Sequence, residues 1–188
     1  MFDQFNIRTD DMPAEMQSLL QQYPRDAWGD HPGFREKTRQ WLGAHRMFRH
    51  LSATIGKDTA LYLDREIDPQ DYAGRLSVRG NALVGNLHGH HHWEDHAYFP
   101  ELSAADPRFD AGLEILEKDH AALDIVLDHF TRSANRTIKL IQLDESAARD
   151  EVGKLHNAST TIDAFLDRHL GDEEELAVPI ILHHRLRG

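Results

Sequence analysis

Four stretches of this chain space their apolar residues alternately three and four apart, and a histidine interrupts each stretch. They are Trp41, His45, Phe48, Ser52, Ile55; then Leu76, Leu83, Leu87, His90, Glu94, Ala97; then Leu113, Leu116, His120, Leu123, Leu127, Phe130, Ala134, Ile141; and last Val152, Leu155, Ser159, Ile162, Leu166, His169, Glu173, Leu176, Ile180. Spacings of three and four put a set of residues on one face of an α-helix, and no strand-like alternation of any length competes with them. Helix punctuation agrees: Asp68-Pro69 and Asp106-Pro107 are start signals, and Asp144 to Ser146 makes a turn and cap. The expected architecture is all-α, an up-down-up-down four-helix bundle over residues 34–188, its short connections favouring antiparallel neighbours. Residues 1–33 read as an N-terminal arm. They hold Met12-Pro13, Tyr23-Pro24 and His31-Pro32-Gly33, and Leu19, Leu20, Tyr23 and Trp28 are expected to pack on the bundle.

Composition narrows what such a bundle can do. A chain of 188 residues fits one domain, and its apolar runs are too short to cross a bilayer. The formal charge of -11 disfavours a nucleic-acid partner, because phosphates would be repelled by most of the surface. With no cysteine, disulfides, thiolate ligands and cysteine nucleophiles are excluded. The N-terminus lacks the pattern of a secretion signal, so the expected location is cytoplasmic.

The interrupting residues fall at one level. His90 lies ten residues before Pro100 and His120 thirteen after Pro107, so both sit about three turns from the connection between their helices. Counted from the opposite end, His90 is twenty-one residues past Pro69 and His169 twenty-four past Glu145, and His45 matches if its helix reaches about residue 66. Glu94 and Glu173, each one turn beyond a histidine, then point into the same space. Two buried carboxylates without compensation cost roughly several kcal/mol each, a penalty that cations among them would remove. Six such donors, two of them able to bridge, suit two metal ions, and imidazole with carboxylate but no thiolate suits iron, with manganese or zinc as alternatives.

The stretch His88 to Pro100 holds five histidines, which register sorts. At about 100° per residue, His91 and His92 turn away from the face of His90, so they are expected at exposed or outer positions, as are Asp95 and His96. His50, His129 and His156 also fall off the seams, and His183 lies about 21 Å beyond His169 along its helix. Glu174 and Asp95 are the rivals of Glu173 and Glu94 as ligands.

On these residues the chain resembles the hemerythrin-like HHE cation-binding family. The likeness rests on the lone histidine in His45-Arg46-Met47-Phe48-Arg49, the His-x-x-x-Glu of His90 to Glu94 running into Tyr98-Phe99-Pro100, the lone histidine in Lys118-Asp119-His120, and the second His-x-x-x-Glu of His169 to Glu173. The resemblance covers residues 34 to about 182. It implies a non-haem di-iron centre, two iron ions with an oxo or hydroxo bridge, His45, His90, His120 and His169 as terminal ligands and Glu94 and Glu173 as bridges. Oxygen-carrying hemerythrins have a second histidine one turn away in the third helix; here Leu116 and Asp124 stand at the adjacent turns. One histidine fewer leaves a position for water, peroxide or another side chain.

The implied function is binding, sensing or reduction of a small ligand: dioxygen, peroxide or nitric oxide. Decomposition of peroxide by an enzyme is the alternative, with Tyr98 or a nearby histidine as proton donor. Iron-sulfur repair is disfavoured by the absence of cysteine. A phosphohydrolase of the HD type needs a His-Asp doublet, and no histidine here is followed by aspartate. The remaining class is a metal-free bundle that binds a partner.

Overall fold

The structure, a computed structural model, describes residues 7–186; residues 1–6 of the expected arm and 187–188 of the expected bundle lie outside the described residues. Among the described residues there is no strand. Two 3-10 turns, Ala14–Gln17 and Arg25–Asp30, precede α1 (Glu36–Leu63) and α2 (Pro69–Trp93). A π turn, Glu94–Tyr98, carries α2 without a break into α3 (Phe99–Ala105), and α4 (Asp110–Leu143) and α5 (Glu145–His184) follow.

Each start signal acts through a side chain that accepts from a free backbone N–H of the first turn. Asp68 accepts from the Gln70 N–H at 2.8 Å, Asp106 from Arg108 at 3.4 Å, and Asp144 from Ala147 at 3.1 Å. At the end of α1, Arg65 adopts a left-handed φ of 63°, and the Glu66 N–H returns to the Leu61 carbonyl at 2.8 Å.

The chain divides into two compact units. One comprises Phe48–Gly89 and Ala122–Leu166 as its main segments. Its interior is the seams themselves: Ile55, Leu76, Leu83, Leu87, Leu123, Leu127, Phe130, Val152, Leu155 and Ile162 are all buried. Tyr62 and Tyr72 stack with ring centroids 4.6 Å apart, and the Tyr72 hydroxyl pairs with Thr59 Oγ1 at 3.1 Å. Buried Asp58 is held by Arg75 and Arg79.

The second unit, Arg8–Met47, His90–Ala121 and Asp167–Gly188, includes the described part of the arm and all six candidate ligands. Met12, Met16, Leu19 and Trp28 of the arm are buried in one apolar cluster with Trp41, Phe99, Leu102, Phe109, Leu113, Leu116, Leu176 and Ile180. The Trp28 indole donates to the Tyr23 carbonyl at 2.7 Å, so its one polar atom is satisfied. Leu20 and Tyr23 are partly buried against the same cluster.

The π turn changes the expected register. Because each π turn accommodates one residue more than an α turn, the inward position after Glu94 comes one residue late. Tyr98, 4% exposed, takes it, and Ala97, expected in the seam, is exposed. Before the π turn the buried positions run Leu83, Leu87, His91, Glu94, and His90 is half-buried beside them. His91, expected at the rim, is therefore corrected to an interior residue. Leu87 is followed at +3 by His90 and at +4 by His91, and a helical face accepts either spacing.

Candidate metal centre

All six candidate ligands of the sequence reading lie in one unit, where they fall into two groups whose donor atoms lie within 4.8 Å of one another. One group is His45, His90, Glu94 and Glu173; the other is His120 and His169, joined by His91. His45, Glu94, His169 and Glu173 are fully buried.

The Nε2 atoms of His45 and His90 approach to 3.0 Å, His90 Nε2 stands 2.8 Å from Glu94 Oε1, and His45 Nε2 stands 3.4 Å from Glu173 Oε2. Two donors each about 2.1 Å from one ion, at angles between a right angle and the tetrahedral one, lie about 3.0–3.4 Å apart. Two of the three observed separations fall in that range and the third, 2.8 Å, lies just below it, as expected of donors facing a common point. The other Glu94 oxygen, Oε2, faces His120 Nε2 at 3.7 Å, so this carboxylate spans both groups. Glu173 Oε2 likewise lies 4.0 Å from His169 Nε2.

Three of the histidines present Nε2 inward because a carboxylate stands behind Nδ1. His45 Nδ1 is 3.0 Å from Glu174, His120 Nδ1 is 2.7 Å from Asp95, and His169 Nδ1 is 3.5 Å from Asp119. Such partners fix the tautomer and ring orientation of a metal-binding imidazole and raise its basicity. Glu174 and Asp95, rivals for the bridging positions on sequence spacing, thus stand against the backs of the rings. Arginines hold two of these carboxylates in turn: Arg25 grips Glu174, while Arg8 at 2.8 Å and Arg168 at 3.1 Å grip Asp119. Sequence reasoning missed Asp119 and both arm arginines. Only the adjacency of Asp119 to His120 could have drawn attention to it, and its contact is with His169 instead.

The electrostatics are those of a cation site. Burial and the neighbouring Glu94 push the Glu173 carboxyl well above the usual carboxylate range. Burial would raise Glu94 too, but His45 and His90 outweigh it and hold that carboxyl well below the usual range. Burial lowers His169 to about 4 against the pull of Asp119, so its ring is the neutral, ligating form. Glu94 Oε2, both oxygens of Glu173 and His120 Nε2 are buried without a hydrogen-bond partner. Buried polar atoms are rarely left so, and a cation would engage all four at once. The residues present therefore fit metal ions.

Around the site, the Trp41 indole donates to Glu94 Oε1 at 2.6 Å. A cavity of about 350 Å³ lined by Lys37, Gln40, Trp41, His90, Trp93, Tyr98 and Glu101 reaches His90. Burial, then Glu173 and Glu94, keep the Tyr98 hydroxyl protonated well beyond its ordinary range. His50, His92, His96 and His183 are exposed and belong to neither donor group, and the half-buried His129 and His156 also stand outside both.

No curated protein and no solved structure matches the chain. A family model does: the hemerythrin HHE cation-binding domain matches residues 36–181, from the first residue of α1 to the last turns of α5. The histidine and glutamate groups lie within that span, and the chain belongs to the hemerythrin HHE cation-binding family.

Proposed function

We propose that this protein holds two iron ions, His45, His90, His120 and His169 binding them terminally and Glu94 and Glu173 bridging, and that it binds, senses or reduces dioxygen, peroxide or nitric oxide. The carrying observation is Glu94, fully buried, with one oxygen against His45 and His90 and the other against His120. The scaffold is read as an up-down-up-down bundle in which α3 continues α2. Bound iron would supply the redox chemistry and the position for the small ligand.

The protein's own residues supply the surroundings. Glu174, Asp95 and Asp119 orient the imidazoles, and Trp41 fixes one Glu94 oxygen. Trp41, Trp93 and Tyr98 wall the cavity beside His90, which admits a small molecule while much of its wall is aromatic. Anaerobic titration with ferrous iron should give two equivalents. Optical and Mössbauer spectra after admission of air should then show a magnetically coupled ferric pair. Uptake below one equivalent would overturn the reading and favour a metal-free partner-binding bundle, whereas bound but uncoupled ions would overturn the bridged pair.

Peroxide decomposition is the second reading, supported by Tyr98, which lines the cavity together with His90 and places a hydroxyl group beside it. Stopped-flow mixing with peroxide separates the two: an enzyme consumes peroxide over many turnovers, whereas a binder forms a coloured adduct once.

A further inference from the structure

We propose that His91 is a seventh protein ligand of this centre, making with His120 and His169 a three-histidine end opposite the two-histidine end of His45 and His90. The inference rests on the metal reading above and adds a donor which that reading does not include. His91 is 3% exposed, and neither of its ring nitrogens has a hydrogen-bond partner. A histidine packed merely as a core residue normally satisfies at least one nitrogen, because leaving both unpaired forfeits hydration without replacement.

Its placement brings it to the second donor group, and because rings stacked face to face hold their nitrogen lone pairs side by side, ligation requires the His91 ring to turn out of its stack on His120. The His91 ring lies parallel to that of His120, centroids 4.0 Å apart and planes within 10°, and edge-on to His169 at 5.8 Å. One nitrogen from each of the three falls within 4.8 Å of the others. At the turns of α4 adjacent to His120 no second donor is available, since Leu116 is buried and apolar and Asp124 is exposed, and Asp119 is held by Arg8 and Arg168 behind His169. Helix α2 supplies the donor instead, immediately before the π turn that carries Glu94 and Tyr98 inward. With Glu94 and Glu173 shared, the His91 end would have five protein donors and the other end four. The two ions would thus be inequivalent, and the position left open by the missing second histidine of α4 would be filled from α2.

The test uses the full chain loaded anaerobically with cobalt(II), which shifts the N–H protons of coordinated imidazoles far outside the ordinary proton NMR range. With nitrogen-15-labelled histidine, the wild-type protein should show five shifted imidazole N–H signals, from His45, His90, His91, His120 and His169. H91L and H91Q should each lose one signal and bind the second cobalt equivalent at least about tenfold more weakly, the scale of an altered metal site. Circular dichroism of the metal-free variants checks that helix content is unchanged. Should both variants misfold, the count in the wild-type protein still decides. Two bound equivalents with only four signals would overturn the role of His91 and leave the di-metal reading intact. Failure of the wild-type protein to take up cobalt or iron would remove both.

Discussion

Glu94 joins the two donor groups of the site in a single side chain. Its helix must bury it to pack, yet its charge is tolerated only because Trp41, His90 and His45 surround one oxygen and a cation can engage the other. Tyr72 shows the same physics in a group without a metal. Burial raises its hydroxyl to about 12, despite the bond with Thr59 that works the other way. The folded-state value lies above the unfolded one near 10, so this contribution to stability is complete below pH 10 and is lost as pH rises through 12. Urea unfolding of the metal-free protein at pH 8 and pH 11 should therefore show an alkaline loss that is about 1.4 kcal/mol smaller in Tyr72→Phe than in the wild type. Equal losses would mean that Tyr72 ionises as easily folded as unfolded. Single residues also mark how far sequence reading reaches. His45, His120, His169, Glu94 and Glu173 were legible because each replaces an apolar residue in a seam. His91 was not, because spacing alone does not choose between +3 and +4 after Leu87. Which ring each carboxylate backs was hidden for another reason: His45 meets Glu174 of α5, and His169 meets Asp119 of α4, pairings that only tertiary packing makes.

At the scale of elements, α2 and α5 begin within two residues of where the sequence put them because Asp68 and Asp144 cap them. The π turn was illegible. Nothing in Glu94-Asp95-His96-Ala97-Tyr98 forbids an ordinary α turn, and only packing of Tyr98 between Trp41 and Trp93 reveals the wider one. Gly56 lies inside an unbroken α1, although a glycine is a poor helix former. A Cβ added there would meet nothing within 4 Å. Gly56→Ala should therefore stabilise the protein by about 0.5–1 kcal/mol through backbone entropy and helix propensity, read as a higher urea midpoint at unchanged slope. A lower midpoint would show that Gly56 is needed for a closer approach than α1 displays.

At the scale of the whole molecule, the arm from Arg8 onward shares a compact unit and an apolar cluster with the segments that carry the candidate ligands. Proline and turn signals mark where a chain changes direction but carry no information about which surface it then covers. The arm also reaches the histidines electrically, through Arg25 on Glu174 behind His45 and Arg8 on Asp119 behind His169. Binding free energies are reciprocal: whatever factor the arm's grip adds to metal affinity, bound metal must add to the arm's grip. Limited digestion with trypsin, which cuts after Arg25, should accordingly be severalfold slower for iron-loaded than for metal-free protein, and equal rates would show that the two are uncoupled. A protease that tests the arm would thus distinguish metal-loaded from metal-free molecules, so that resistance to cleavage at the arm reports whether the donor groups behind it are filled.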